Sequence, residues 1–533
     1  MPVRLSTARP PAALTAHSLT PMRSDSGRTQ SVWTATADVP VYPALAEDVV
    51  CDVCVVGAGI AGMTTAYLLA REGRRVVVID DGPIAGGETG RTTAHLASAQ
   101  DDFYSEIERV HGADGARIAA ASHSAAVAKV GEIATAEGID CGYARLDGYL
   151  FLAEGDDPKD LEEELAAARR AGVAVEFVAR APLDSFDTGR CLRFADQGQF
   201  HPVRYLAGLA RAIVRDGGRI HNGTAAREIN DGTPATVKTA RGHTITARSV
   251  VVATNSPVND LLVMHTKQAP YRTYVIGVRV PAGSVTPALY WDSADPYHYV
   301  RLEKAPAESP DGGDLLIVGG EDHKTGQQDD MDERWRCLEE WTRERFPRAG
   351  AVEYRWSGQV MEPVDYMGFI GRNPGDEHVY IVTGDSGQGT THGTIAGLLL
   401  TDLIAGRQHP WAALYDPSRK TLRPPASLEF AKENLNVAVQ YLDLVTPGEV
   451  KSPDDVKPGE GAVLRRGAHK VAVYRDREGR VHERSAICTH LHCVVHWNHG
   501  EGSWDCPCHG SRFDPYGRVL NGPAITDLPE VKG

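Results

Sequence analysis

Val50-Cys51-Asp-Val-Cys54-Val-Val56 is a nearly unbroken apolar run of strand length, and Gly57-Ala-Gly59-Ile-Ala-Gly62 follows it at once. Met63-Thr-Thr-Ala-Tyr-Leu-Leu-Ala-Arg71 then has the composition of a helix, and Arg75-Val-Val-Val-Ile79 is a second apolar run. A strand buried on both faces reads as a continuous apolar run, so the order predicts a strand, glycine turn, helix and second strand. A helical stretch is expected over about 101–138 and a mixed insertion after it. From about 265 to 365 the pattern turns strand-rich, with apolar and polar residues alternating in Tyr271–Val280 and Tyr297–Leu302 as half-buried strands require. Residues 416–426, Asp-Pro-Ser-Arg-Lys-Thr-Leu-Arg-Pro-Pro-Ala, read as a linker, with a helix expected at about 428–441.

Composition narrows the class. The chain has 533 residues, 42% hydrophobic and 24% charged, which suits a soluble globular protein of two or three domains. No apolar run approaches a membrane span. A net charge of −15 disfavours nucleic acid and anionic lipid as partners. Residues 1–47 are expected to be mostly disordered: the first 30 are rich in Pro, Ser, Thr and Arg and have no apolar signal core, and Met22 is a candidate start. Four of the nine cysteines lie near the C-terminal end. The others show no paired spacing except Cys51 and Cys54, expected on opposite faces of a strand as core filling. This usage fits a reducing cytoplasm with one protected disulfide.

The glycine segment carries the first chemistry. Gly57, Gly59 and Gly62 let the backbone approach a pyrophosphate at a helix N-terminus, Ile60 and Ala61 lie in the same turn, and Asp80, with Asp81 beside it, stands where a carboxylate holds ribose hydroxyls. The next loop, Gly86-Gly87-Glu-Thr89-Gly-Arg91-Thr92-Thr93-Ala94-His95, resembles that of the D-amino-acid-oxidase superfamily, where it runs along FAD. The resemblance covers about 48–410 and includes Val250–Asn255 and Val379–Gly393, the latter similar to the family's C-terminal flavin motif. It implies an FAD-binding α/β domain, Rossmann-like and of glutathione-reductase type, with an α+β substrate domain inserted at roughly 140–225 and 265–365. It also extends the cofactor set to Ala226, Thr254, Gly387, Gly389, Thr390 and Thr391. His95 lies near where some members link flavin covalently; a noncovalent loop histidine is the reading adopted. The resemblance further implies an amine or amino-acid-like substrate oxidised by hydride transfer to FAD. Arg272 and Arg301 are then candidate carboxylate clamps, the rival being structural ion pairs, and Tyr297, Tyr299 and Tyr366 are candidates for an aromatic wall.

Cys488-Thr-His490-Leu-His-Cys493 and Cys506-Pro-Cys508-His509-Gly-Ser511 form a doubled Cys/His pattern. Two thiolates suit one iron and two imidazoles the other, as in a Rieske [2Fe–2S] centre, whereas a zinc ribbon would leave the extra cysteine in each loop unexplained. Residues 446–533 resemble the all-β Rieske proteins of cytochrome bc complexes. That resemblance implies Cys488, His490, Cys506 and His509 as ligands, a Cys493–Cys508 disulfide, Ser511 as donor to a cluster sulfur, and Gly522-Pro523-Ala524 as a shielding loop. Phe513 stands where high-potential members carry Tyr, and His492 where Gly is usual, so an intermediate potential is expected. His496 and His499 lie too near the cluster loops to build a separate mononuclear iron site.

Domains are therefore expected at 48–415 (flavin), 416–445 (linker and helix) and 446–533 (cluster). Electrons from a small-molecule substrate would leave singly through the cluster to an external acceptor, protein or quinone. The sequence leaves open the reverse flow, for a reduction or natural-product tailoring step, and a non-catalytic carrier or sensor.

Overall fold

The computed structural model describes residues 26–259, 264–304, 313–420, 423 and 426–531. Met22, the first 25 residues of the expected tail and part of the expected linker lie outside them.

Among the described residues, the first sheet has eight strands. Val49–Val56 pairs in parallel with Val76–Ile79 on one side and Thr244–Val252 on the other; Arg219–His221 and Val379–Thr383 extend the parallel set. Both faces are apolar because each meets its own core. Val53, Val55, Val76 and Val78 pack with helix Ile60–Arg71, while Cys54, Val56, Val77 and Ile79 join a second cluster. The placement of Cys51 and Cys54 on opposite faces is corrected. The amides of Asp52 and Val53 both donate to the Arg75 carbonyl, and past this irregularity the two cysteines fall in one cluster as free, buried thiols.

A second, nine-stranded and mostly antiparallel sheet is led by Gln268–Pro281, Gly313–Lys324 and Val352–Pro363. The helix expected at about 101–138 runs Tyr104–Ala136. Small sheets of three and four strands make up residues 461–521, and helix Ala426–Gln440 precedes them. No helix among the described residues is long and apolar enough to cross a membrane.

The expectation of a disordered tail fails over residues 26–47. Trp33 is wholly buried and its indole donates to the Thr92 carbonyl at 2.6 Å. Ser26 Oγ bonds Glu88 at 2.6 Å and Asn521 at 3.1 Å, Arg28 Nε donates to Gly500 O at 3.0 Å, and Thr29 Oγ1 donates to Glu501 at 2.5 Å. A polar segment that composition assigns to solvent is here a strap across both domains, with its polar groups satisfied by buried partners.

Candidate cofactor cavity and cluster centre

One cavity of about 500 Å³ runs between the two large sheets, with part of its wall supplied by Val519–Gly522 of the cluster domain. Two helices point their N-termini at it. Helix Ile60–Arg71 starts at Gly59 and helix Gly389–Ile404 at Gln388, neither with a side-chain cap. The Ile60 amide donates to Thr89 Oγ1 at 3.0 Å, and the positive dipole ends of both helices face the cavity, where they favour an anion.

Gly57, Gly59, Ile60 and Ala61 line the cavity, as do Asp80, Asp81, Gly87 and Thr89. So do Thr92, Thr93, His95, Ala226 and Thr254, and at the far end Gly387, Gly389, Thr390 and Thr391. Gly57 has φ +109°, and a Cβ there would meet the Ala253 carbonyl at 2.3 Å. Asp80 accepts the Ala58 amide at 2.6 Å. Thr391 Oγ1 is buried on the wall with no hydrogen-bond partner. Two uncapped helix ends, a glycine cradle and an orphaned hydroxyl fit a dinucleotide.

Several expected residues lie elsewhere. Gly62 is off the wall: a Cβ there would meet the Gly57 carbonyl at 2.0 Å, so its role is helix–turn packing. Ala94 is buried behind the wall. Arg91 reaches the wall, but its guanidinium turns away, donating to Ser357 O at 2.7 Å and Glu501 at 2.9 Å.

Arg272 and Arg301 are not clamps. Strand alternation puts Thr273 and Val275 on the wall and Arg272 on the opposite face, wholly buried. There it donates to Ser357 Oγ at 2.8 Å and lies 3.9 Å from Asp505. Arg301 is spent on the carbonyls of Ala94 at 2.9 Å and Phe200 at 3.0 Å and on Glu303. Tyr297 and Tyr299 do line the cavity; Tyr366 does not. His95 Nδ1 meets Thr93 Oγ1 at 3.0 Å, and burial lowers this histidine to about 3, so the ring is neutral.

Acidic side chains occupy the Tyr297 end instead, and sequence reasoning missed them because they come from four separate segments. Asp101 is open to the cavity, hydrogen-bonded by Tyr297 Oη at 3.1 Å and Gln388 Nε2 at 3.4 Å. Asp322 and Asp385 line the same end. Ser386 Oγ bridges Asp102 at 2.6 Å and Glu362 at 3.2 Å. Burial raises Asp101 and Asp385 to about 6 and Asp102 and Asp322 to about 7. Glu362 goes well above its usual value through burial and then the charges of Asp102, Asp385, Asp101 and Asp322.

At the second centre, the Cys488 and Cys506 thiols are in hydrogen-bond contact, and the His490 and His509 rings meet edge-on at 5.1 Å. All four residues are buried, and His509 Nδ1 has no partner. Cys493 and Cys508 are joined by a disulfide. Ser511 Oγ contacts Cys488 and accepts the Ala524 amide at 3.0 Å. Two thiols, two imidazoles and an orphaned ring nitrogen fit a [2Fe-2S] cluster. The flavin-domain residue His265, not singled out in the sequence, packs edge-on against His490 at 4.7 Å and His509 at 5.7 Å.

Residues 52–403 match the FAD dependent oxidoreductase (DAO) family, and residues 446–532 match the Rieske [2Fe-2S] domain. The chain belongs to the FAD dependent oxidoreductase family. Its cofactors are FAD and a [2Fe-2S] cluster. The putative Rieske 2Fe-2S iron-sulfur protein YhfW of Bacillus subtilis (strain 168) is 31% identical over 508 residues, spanning 94% of this chain and 97% of that protein. Gamma-glutamylputrescine oxidoreductase of Escherichia coli (strain K12) is 30% identical over 421 residues, 74% of this chain and 95% of that enzyme. Glycine oxidase from Geobacillus kaustophilus shares the fold, with a TM-score of 0.58 at 19% identity over 70% of this chain and 99% of its own. This flavoenzyme architecture agrees with the α/β and α+β expectation, and the cluster domain is all-β.

Proposed function

We propose that this oxidoreductase is a dehydrogenase that oxidises the carbon–nitrogen bond of a small amine or amino-acid-like substrate, with the electrons leaving one at a time through the cluster to an external protein or quinone. FAD supplies a two-electron hydride acceptor and the Rieske cluster a one-electron carrier.

The observation that carries this reading is Gln359. The residue belongs to the cavity wall, and its side chain, on the same sheet face as that of its strand partner Arg272, donates from Nε2 to the carbonyl of Gly510 at 3.1 Å, the residue after His509. A single residue of the wall is thus hydrogen-bonded to the cluster loop. A second connection runs through Thr383 on the wall, whose hydroxyl donates to the Asn255 carbonyl at 2.6 Å and lies 3.0 Å from the Gln268 side-chain amide, three residues from His265. Joining carrier and enzyme in one chain keeps the carrier's effective concentration at the cavity high.

The remaining tasks fall to side chains and helix ends. The start of helix Ile60–Arg71 would hold the pyrophosphate, with Asp80 and Asp81 at the ribose end, and the start of helix Gly389–Ile404 would stabilise negative charge on the reduced ring. Cys488, His490, Cys506 and His509 would hold the cluster, and Ser511 would donate to a sulfur. The name of the Escherichia coli relative supports a nitrogen-bearing substrate.

The test is anaerobic mixing of the holoenzyme with a panel of amines and amino acids. Bleaching of the flavin followed by a Rieske EPR signal is expected. A flavin that no member bleaches, with a cluster reducible only by dithionite, contradicts the reading.

A further inference from the structure

Acidic side chains outnumber cations at the Tyr297 end of the cavity. Asp101, Asp322 and Asp385 line it, and Asp102 and Glu362 stand behind, joined through Ser386. The cation set against Asp322 is Arg334, which is itself paired with Asp330 at 2.9 Å. Arg91 is committed to Glu501 and Arg301 to Glu303. Buried like charges without counter-charges are costly, and a cation that brings the counter-charge removes the cost.

Two further observations point to a ligand. Gln388 is 7% exposed and lines the cavity beside Asp101, yet its Oε1 has no hydrogen-bond partner. Asp322 Oδ1 on the same wall is likewise without one. Both are acceptors waiting for N–H donors. A metal ion does not suit them, because among the described residues the close triple of ligand atoms is formed by the sulfurs of Cys493, Cys506 and Cys508, not by these carboxylates. Acceptors spread along a wall fit an extended organic cation.

We infer that the cavity selects a small diamine or polyamine, with one nitrogen held by Asp101 beside Tyr297 and Gln388 and a second positive charge held by Asp322 and Asp385, with Asp102 and Glu362 adding negative charge from behind the wall. The inference rests on the amine-oxidation reading and deepens it. It disfavours simple amino acids: of the arginines that line the cavity, Arg91 is paired with Glu501 and Arg227 acts on Asp81 at the ribose end, not on the acidic end. Phenol and amide groups at Asp101 orient the nitrogen, and the spread of charge sets the preferred length.

The test uses holoenzyme and two probes that keep N–H donors but carry no amine to be oxidised: 1,4-diguanidinobutane and butylguanidine. Binding is read by perturbation of flavin absorbance and by equilibrium dialysis. The dication should bind at least about tenfold more tightly than the monocation, since a second charge near an acidic wall is worth a kcal/mol or more even at high effective dielectric. Asp101→Asn and, separately, Glu362→Gln should each narrow that ratio by at least about threefold while FAD content is unchanged. Equal binding of the two probes, or a ratio unmoved in both variants, overturns the inference. In parallel, 1,4-diaminobutane should bleach the flavin faster than butylamine, 4-aminobutanoate or glycine. Bleaching by glycine alone would overturn the polyamine assignment while leaving amine oxidation intact. Bleaching by none, with dication selectivity kept, would overturn the oxidation reading and leave the recognition standing.

Discussion

Arg91 of the flavin loop and Glu501 of the cluster domain form a 2.9 Å ion pair with side chains 1% and 0% exposed. Around it, Ser357 Oγ donates to Glu501 at 2.5 Å, Arg512 pairs with Asp505 at 3.0 Å, and Thr29 of the N-terminal strap reaches Glu501. Burial alone would raise Glu501, but Arg91, Arg512 and Arg272 outweigh it and hold the carboxyl at about 2. The cluster domain is therefore seated through a charged, buried contact. Such a contact fixes one orientation between domains, because any other leaves buried charges unpaired.

Glu501→Ala leaves three buried guanidinium groups short of a counter-charge. Removing one partner of such a pair costs about 3–5 kcal/mol. Chemical denaturation followed by cluster absorbance should show loss of the cluster at distinctly lower denaturant than in the parent protein. An unchanged midpoint would mean that the network does not hold the domains together.

Gly57→Ala tests the dinucleotide cradle. The added methyl would meet the Ala253 carbonyl in a backbone conformation that favours glycine. The purified variant should lose most of its FAD while keeping its iron content. Full FAD occupancy would contradict the placement.

Cluster potential should respond to two substitutions in opposite directions. Ser511→Ala removes the hydroxyl that contacts Cys488, so the potential should fall; Phe513→Tyr adds a hydroxyl in the same buried shell, so it should rise. Redox titration followed by EPR reads both. A Ser511→Ala potential equal to the parent's would remove that residue from the cluster's surroundings.

Binding of a dication should depend on pH through the acidic wall. Asp101 and Asp385 are raised to about 6 and Asp102 and Asp322 to about 7, all from an ordinary 3.8. Because the folded values lie above the unfolded ones, folding takes up protons between these limits, and the ligand-free fold loses stability as pH rises through that window. The bis-guanidinium probe does not titrate in this range, so its affinity should fall at least about tenfold from pH 8 to pH 5.5 as the wall becomes neutral. Its thermal stabilisation of the protein should shrink in step. A flat profile would separate these carboxylates from the ligand.

Chemistry held in short segments was legible in the sequence. The glycine turn, the apolar strands around it and the Cys/His loops each need particular residues at fixed spacing, and such spacing survives without knowledge of the fold. What was not legible depends on long-range placement. Arg272 and Arg301 stand on the expected strands, but strand alternation and the flavin loop turn them into structural partners. Asp101, Asp322, Glu362 and Asp385 come together only when two sheets close on one another. The strap at 26–36 looks disordered by composition because its polar groups find their partners in residues far along the chain, such as Glu501 and Asn521. One signal was present and went unread: Trp33, a lone large aromatic in a polar tail, marks an anchor.

The most direct measurement is rapid freeze-quench EPR after anaerobic mixing of holoenzyme with an oxidisable diamine, compared with flavin absorbance on the same time base. In the parent protein the Rieske signal should rise as the flavin is reduced. In His509→Ala, which should retain FAD and lose the cluster, the flavin should bleach with no such signal. A parent flavin that bleaches fully while its cluster stays oxidised until dithionite is added would contradict electron flow from the cavity to the cluster.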